Sequence, residues 1–212
     1  EADGLIIEAT GVTGHAAFPN GTRNAAGMML RLLDALEVGG PLLRRLARLI
    51  GVESDGASMG IACHDAASGA LTLNLGMLTA EDGKVSATID IRYPVHVSSE
   101  ALIRTMRQRL QEVGGQAERG HEHLPLHVPA QHPVVVKLGQ VYHELTGGDP
   151  APYSIGGGTY ARSMDNCVAF GANFPGREEL AHQAGEYVSI EDLMMNVRIF
   201  AHTIATLLGV KP

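Results

Sequence analysis

An α+β domain followed by part of an α/β layer is the architecture this sequence predicts. Three observations predict it. Residues 5–124 read strand, helix, helix, hairpin, helix, strand, the order of an antiparallel sheet with helices on one face. Residues 71–93 carry a strong hairpin signal around Asp82-Gly83. Past residue 129 the pattern changes to alternating helix and buried strand.

The elements follow in order. Residues 5–10 (LIIEAT) read as a strand that ends in the loop GVTGHAAFPNGT. Residues 24–38 have helical periodicity and stop at Gly39-Gly40-Pro41. Pro41 then opens a second helix over 42–50, where its missing N–H costs nothing. Residues 71–79 and 84–93 flank AEDG as the two hairpin strands. Ser98 or Ser99 caps the helix ALIRTMRQRLQEV, with Glu100 in its first turn and Gly114-Gly115 at its end. Residues 116–124 read as a further strand. HEHLPLHVPAQHP, rich in Pro and His, sets the boundary near residue 129, so the domains are 1–129 and 130–212. Beyond it come a helix (VVVKLGQVYHELTG), a glycine-rich turn (YSIGGGTYARSM), a strand (CVAFG) and a helix capped by Ser189. Ser189 and Asp192 have capping-box spacing.

Composition excludes several classes. The chain has 212 residues, 45% hydrophobic with no Trp, so aliphatic side chains must fill the core. A net charge of −7 argues against a general nucleic-acid or anionic-membrane surface. The basic cluster of Arg44, Arg45 and Arg48 reads as the wet face of a helix. No apolar run approaches a membrane span. Two cysteines, Cys63 and Cys167, form no framework, which fits a reducing, cytoplasmic compartment. The chain lacks an initiator Met and starts almost directly in a strand-like run, so a piece of a longer protein is expected.

Several residues point to chemistry, each beside a plainer reading. His182, in ELAHQAGE, lies in a loop past a predicted strand, where α/β folds place their chemistry, and imidazole ligates zinc. A surface or capping role is the alternative. His15, in the shaped loop TGHAAFPNGTRNA, could donate to a developing oxyanion or be an ordinary loop residue. Gly156, Gly157, Gly158 and Thr159 form a backbone-exposing turn suited to an anion, with Arg162 one turn on; a tight packed turn is the alternative. Arg92, in TIDIRYP, is a guanidinium on a rigid strand and a good carboxylate clamp. Alternation puts Asp90 on its face, so a local ion pair competes with that reading. His121-x-His123 finds no third ligand at useful spacing and reads as a solvated strand. Cys63-His64-Asp65 only superficially resembles a nucleophile cluster, because a triad is made by geometry rather than adjacency.

Together these motifs resemble a family. GVTGHAAFPNGTRNA is similar to the lid-domain loop of the di-zinc amidohydrolases related to carboxypeptidase G, aminoacylase and succinyl-diaminopimelate desuccinylase. IGGGTYARSMDNCVAFGANFPGREELAHQAGEYVSIEDL resembles the C-terminal signature of the dipeptidase V branch, the Xaa-His or carnosinase-like dipeptidases. The likeness covers essentially the whole chain. It implies a lid domain, used for substrate covering or dimerisation, over 1–129 and the last segment of a zinc-peptidase catalytic domain over 130–212. It implies a dipeptide substrate and two zinc ions, with manganese or cobalt as substitutes. His182 would ligate one zinc, His15 would stabilise the oxyanion, and Arg92 would hold the substrate's C-terminal carboxylate. The turn from Gly156 through Thr159 would line the pocket with Arg162. Metal-activated water would attack the peptide bond, with a glutamate as general base. The family's other metal ligands, a His-x-Asp motif and a Glu-Glu pair among them, have no counterpart here, since Glu178-Glu179 lies just before His182. The expectation is a chain that needs a further N-terminal catalytic segment and is inactive alone. An N-acyl amino acid deacylase, a carboxypeptidase, or a non-catalytic binding or dimerisation module are the alternatives.

Overall fold

The computed structural model describes residues 6–12, 14, 19, 21–165, 167–171, 173–178, 180–181 and 184–210. The chain divides into two compact units, Glu1–His123 and Leu124–Pro212.

The first unit is built on two helices, two antiparallel hairpins and a third helix. α1 (Ala25–Ala35) and α2 (Gly40–Ile50) pack on each other. Asn24 caps α1, its Oδ1 accepting from the Gly27 N–H at 2.9 Å. The link between them turns through left-handed Glu37 (φ 56°) and Gly39 (φ 82°). The basic run on α2 is spent on α1. Arg44 and Arg48 both reach Asp34 Oδ1, at 3.3 and 3.2 Å. Of the two, Arg44 is mostly covered, which narrows the expected wet face to Arg45 and Arg48.

β1 (His64–Asp65) and β2 (Gly69–Ala70) form a short antiparallel pair. β3 (Thr72–Glu81) and β4 (Lys84–Arg92) form the long one. The turn between them is Asp82-Gly83, both at positive φ (49° and 73°), which matches the right-handed twist of the strands. Alternation then sorts the side chains. Leu73 and Leu75 of β3, with Leu71 just before it, are buried, and Ile89, Ile91 and Tyr93 pack behind them. Thr72, Asn74, Asp90 and Arg92 occupy the other face, in the register Thr72↔Arg92 and Asn74↔Asp90. A bulge at Gly76 shifts the register beyond Leu75. α3 (Ser99–Gln111) closes the unit. Ser98 is its cap, and Leu102 and Met106 join Leu30, Leu43, Ile50 and Met59 in the core.

The second unit holds α4 (Pro133–Thr146), a 3₁₀ turn (Tyr160–Ser163) and α5 (Ile190–Leu207). α4 and α5 pack together, and Val135, Leu138 and Val141 of α4 and Ile199 and Thr203 of α5 are buried. Ser189 caps α5, its Oγ accepting from the Asp192 N–H at 3.0 Å.

Three expected strands are absent among the described residues. Residues 6–10 form no ladder, and Ile6 is 92% exposed. Only Val12 bridges, to Arg23. Residues 116–124 run irregularly, and the Ala117 carbonyl accepts from Arg107 Nε at 3.1 Å instead of from a neighbouring strand. Residues 167–171 of the expected buried strand are irregular and only partly covered. Residues 6–10 and 167–171 have β-forming side chains and 116–124 (QAERGHEHL) do not, but in every case a strand exists only where its N–H and C=O groups meet a partner. The expected larger α/β layer is therefore not formed within the described residues. What stands is a small α+β unit and a helical pair.

Candidate functional site

Each unit carries one patch of candidate residues. On the first, the polar face of the long hairpin meets Asn24 at the start of α1. Val12 and Arg23 exchange backbone hydrogen bonds of 2.9 and 3.0 Å. Gly11 is required there, because a Cβ would stand 2.4 Å from the Arg23 carbonyl oxygen, a backbone atom that cannot swing aside. Thr22 folds back on Pro19, its hydroxyl donating to the Pro19 carbonyl at 2.7 Å. Immediately after, Asn24 Nδ2 donates to Asn74 Oδ1 at 2.9 Å and to the Leu75 carbonyl at 2.7 Å. One amide thus starts α1 and fastens that start to β3. His15 lies outside the described residues.

Arg92 stands on the same hairpin face, two residues from Asp90. Its Nη2 donates to Asp90 Oδ2 at 2.9 Å, and its Nε lies 2.8 Å from Oδ1 without a directed hydrogen bond to it. Both side chains are about one-third open to solvent, at 34% and 40%. The local ion pair anticipated as the alternative is therefore formed, and it leaves Arg92 reachable. Thr72, directly across from Arg92, buries a hydroxyl without a partner in the described residues.

On the second unit, Arg162 lies against the glycine turn. A Cβ on Gly158 would fall 2.2 Å from Arg162 Nη1, so only glycine allows the guanidinium to lie so close to this backbone. Thr159 precedes the 3₁₀ turn and makes no side-chain cap. The stretch leading to His182 is fastened at two points. Phe174 stacks on Tyr142 of α4, centroids 6.5 Å apart. Arg177 Nη2 donates to Asp192 of α5 at 2.7 Å. The Arg177 hydrogen bond holds the Asp192 carboxyl below its ordinary range, and Arg177 is raised in turn. His182 itself lies outside the described residues. Among those residues no group of three or more His, Cys, Asp or Glu converges on a point a metal could take.

Two clusters set aside on sequence grounds are accounted for. Asp65 is a turn anchor: Oδ1 accepts from the N–H groups of Ala67 and Ser68 and the Ser68 hydroxyl, and Oδ2 from the His96 N–H. Burial and the Asp65 charge push the Cys63 thiol up, away from nucleophilic use. His121 and His123 turn their Nε2 atoms to each other at 2.9 Å, one ring edge to the other's face. Sequence reading missed Asn74, Arg177 and the reach of Asn24. A polar Asn inside LTLNLGM, on a strand that disfavours it, was the available signal.

Residues 2–118, more than half of the chain, match the family model of the M20 peptidase dimerisation domain. The chain is 36% identical over 204 residues to "Putative dipeptidase YtjP" of Bacillus subtilis, covering 94% of this chain and 43% of that protein. It is 32% identical over 206 residues to "Putative dipeptidase SSP1012" of Staphylococcus saprophyticus, covering 94% and 44%. A third relative, "Putative dipeptidase" of Staphylococcus epidermidis, is 32% identical over 207 residues, covering 96% and 44%. The chain thus spans less than half the length of these relatives. With its hairpin-and-helix first unit matching the dimerisation domain, this chain belongs to the M20 peptidase family.

Proposed function

We propose that this chain serves a dipeptidase that hydrolyses dipeptides with a free C-terminal carboxylate. The observation that carries the reading is Arg92. Its side chain is about one-third open to solvent, stands on the long hairpin, and shares a face with Asn74, which Asn24 clamps. A fixed guanidinium is suited to a carboxylate, with charge-assisted bonds about twice as strong as neutral ones. The relatives' printed names favour the same activity. In this reading His15 donates to the oxyanion, and the Gly156–Thr159 turn with Arg162 lines the substrate pocket. His182 supplies one ligand to a two-zinc site whose other ligands lie in the part of the relatives' length that this chain does not span. When bound, the metals would supply an activated water. The first unit serves self-association as well as covering substrate, since its family model is named for dimerisation.

The test is hydrolysis by the full-length protein supplied with zinc or manganese. Free dipeptides are expected to be cleaved and N-acylated amino acids spared, with His182→Ala lowering metal content as well as turnover. Preferential cleavage of N-acylated amino acids would replace this reading with a deacylase.

A further inference from the structure

Asp90 closes one edge of Arg92. A guanidinium offers a carboxylate two flat edges, Nε with Nη2 and Nη1 with Nη2. The Asp90 carboxylate sits on the first, with Oδ1 2.8 Å from Nε and Oδ2 accepting from Nη2 at 2.9 Å. Both residues belong to β4, so their separation is set by the strand rather than by two flexible loops. Asn74, across from Asp90, is turned to Asn24 and does not compete for the carboxylate. One directed hydrogen bond from Nη2 and the close approach of Oδ1 to Nε thereby restrain the guanidinium, and the Nη1–Nη2 edge remains for another acceptor.

We infer that Asp90 is a positioning residue that orients Arg92 so that a substrate carboxylate is taken on the Nη1–Nη2 edge alone. This rests on the carboxylate role proposed for Arg92. Asp90 and Arg92 together carry no net charge, so the site selects by direction rather than by long-range attraction. An arginine without Asp90 would swing between edges and hold a carboxylate in several poses. A mobile arginine would still attract anions, so removing Asp90 costs recognition geometry rather than charge. The loss therefore appears in KM for substrates that own a carboxylate, and not for those that lack one.

The experiment uses the full-length protein with Asp90→Asn, Arg92→Ala and the double variant. Each is assayed on a dipeptide and on the same dipeptide with its C-terminus amidated. Asp90→Asn keeps the side chain's shape, and the melting midpoint reports whether the fold is kept. The expected result is a rise of about tenfold in KM for the free dipeptide, with the loss falling on KM rather than kcat. The amide is indifferent to Asp90→Asn, and the change adds nothing further in the Arg92→Ala background. An unchanged KM overturns the inference. So does an equal loss on the amide, or an added loss in the Arg92→Ala background, since either marks a purely structural pair. If Arg92→Ala itself leaves KM for the free dipeptide unchanged, the carboxylate reading of Arg92 fails first, and this inference falls with it.

Discussion

Asn24 joins three jobs in one side chain. Its Oδ1 caps α1 while its Nδ2 spans fifty positions of sequence to Asn74 and the Leu75 carbonyl. Replacing it with alanine removes the cap and leaves a strand carbonyl without its side-chain donor. Asn24→Ala is expected to cost about 1–3 kcal/mol in denaturant unfolding, the range of a lost cap plus lost hydrogen bonds. Asp65 makes a prediction about pH. Burial works against its charge, but hydrogen bonds from Ser68 and His96 outweigh that and hold its carboxyl well below the usual carboxylate range. A carboxyl lowered on folding stabilises the fold above its unfolded value, about 3.9 for Asp. That stabilisation is lost as pH falls below this value and through the folded one. Stability measured from pH 6 down to 2 is therefore expected to fall below about pH 4, and Asp65→Asn to flatten that limb. An acid limb unaffected by Asp65→Asn would contradict the assignment. At this scale the sequence shows chemistry better than geometry. Asn24 reads at once as a helix start, but a partner fifty positions away has no local trace. Arg92 and Asp90 were readable as neighbours on one face because alternation is a local rule.

Elements were legible where their signal was local. The long hairpin could be placed from Asp82-Gly83 and the β-branched residues beside it, and the caps from Ser98 or Ser99 and from Ser189, the structure choosing Ser98. Strands that need a distant partner were not. Residues 6–10 and 167–171 have the side chains of strands and 116–124 do not, and no ladder forms for any of them among the described residues. The β1–β2 pair was missed for the opposite reason. Two residues per strand have no period to read, and Asp65 rather than a hydrophobic pattern sets that turn. In the second unit, the segment leading to His182 depends on the start of α5. Ser189 caps that helix while Asp192 in its first turn holds Arg177. Ser189→Ala is expected to destabilise α5 by about 1 kcal/mol. Hydrogen exchange should rise in the first turn of α5 and in residues 174–177, and a rise confined to the helix would show that the two are not coupled.

On the scale of the whole molecule, the central question is what Arg92 and its clamped surroundings recognise. The polar face of the hairpin is built with the core's own precision: Leu71, Leu73 and Leu75 are buried on one side while Arg92 stays reachable on the other. None of the described helices is long and apolar enough to cross a membrane. A family named for dimerisation, with β3 and β4 each paired only to the other among the described residues, leads us to expect self-association. Sedimentation of the full-length protein is expected to show a concentration-dependent dimer, and a monomer at all concentrations would contradict that part of the account. The most direct measurement is the rate of hydrolysis, by the full-length metal-supplied protein, of one dipeptide with a free C-terminus against its C-terminal amide, before and after Arg92→Ala. The account predicts efficient cleavage of the free dipeptide, poor cleavage of the amide, and loss of that preference in Arg92→Ala. Equal cleavage of both by the unaltered protein, or a preference that survives Arg92→Ala, would contradict it.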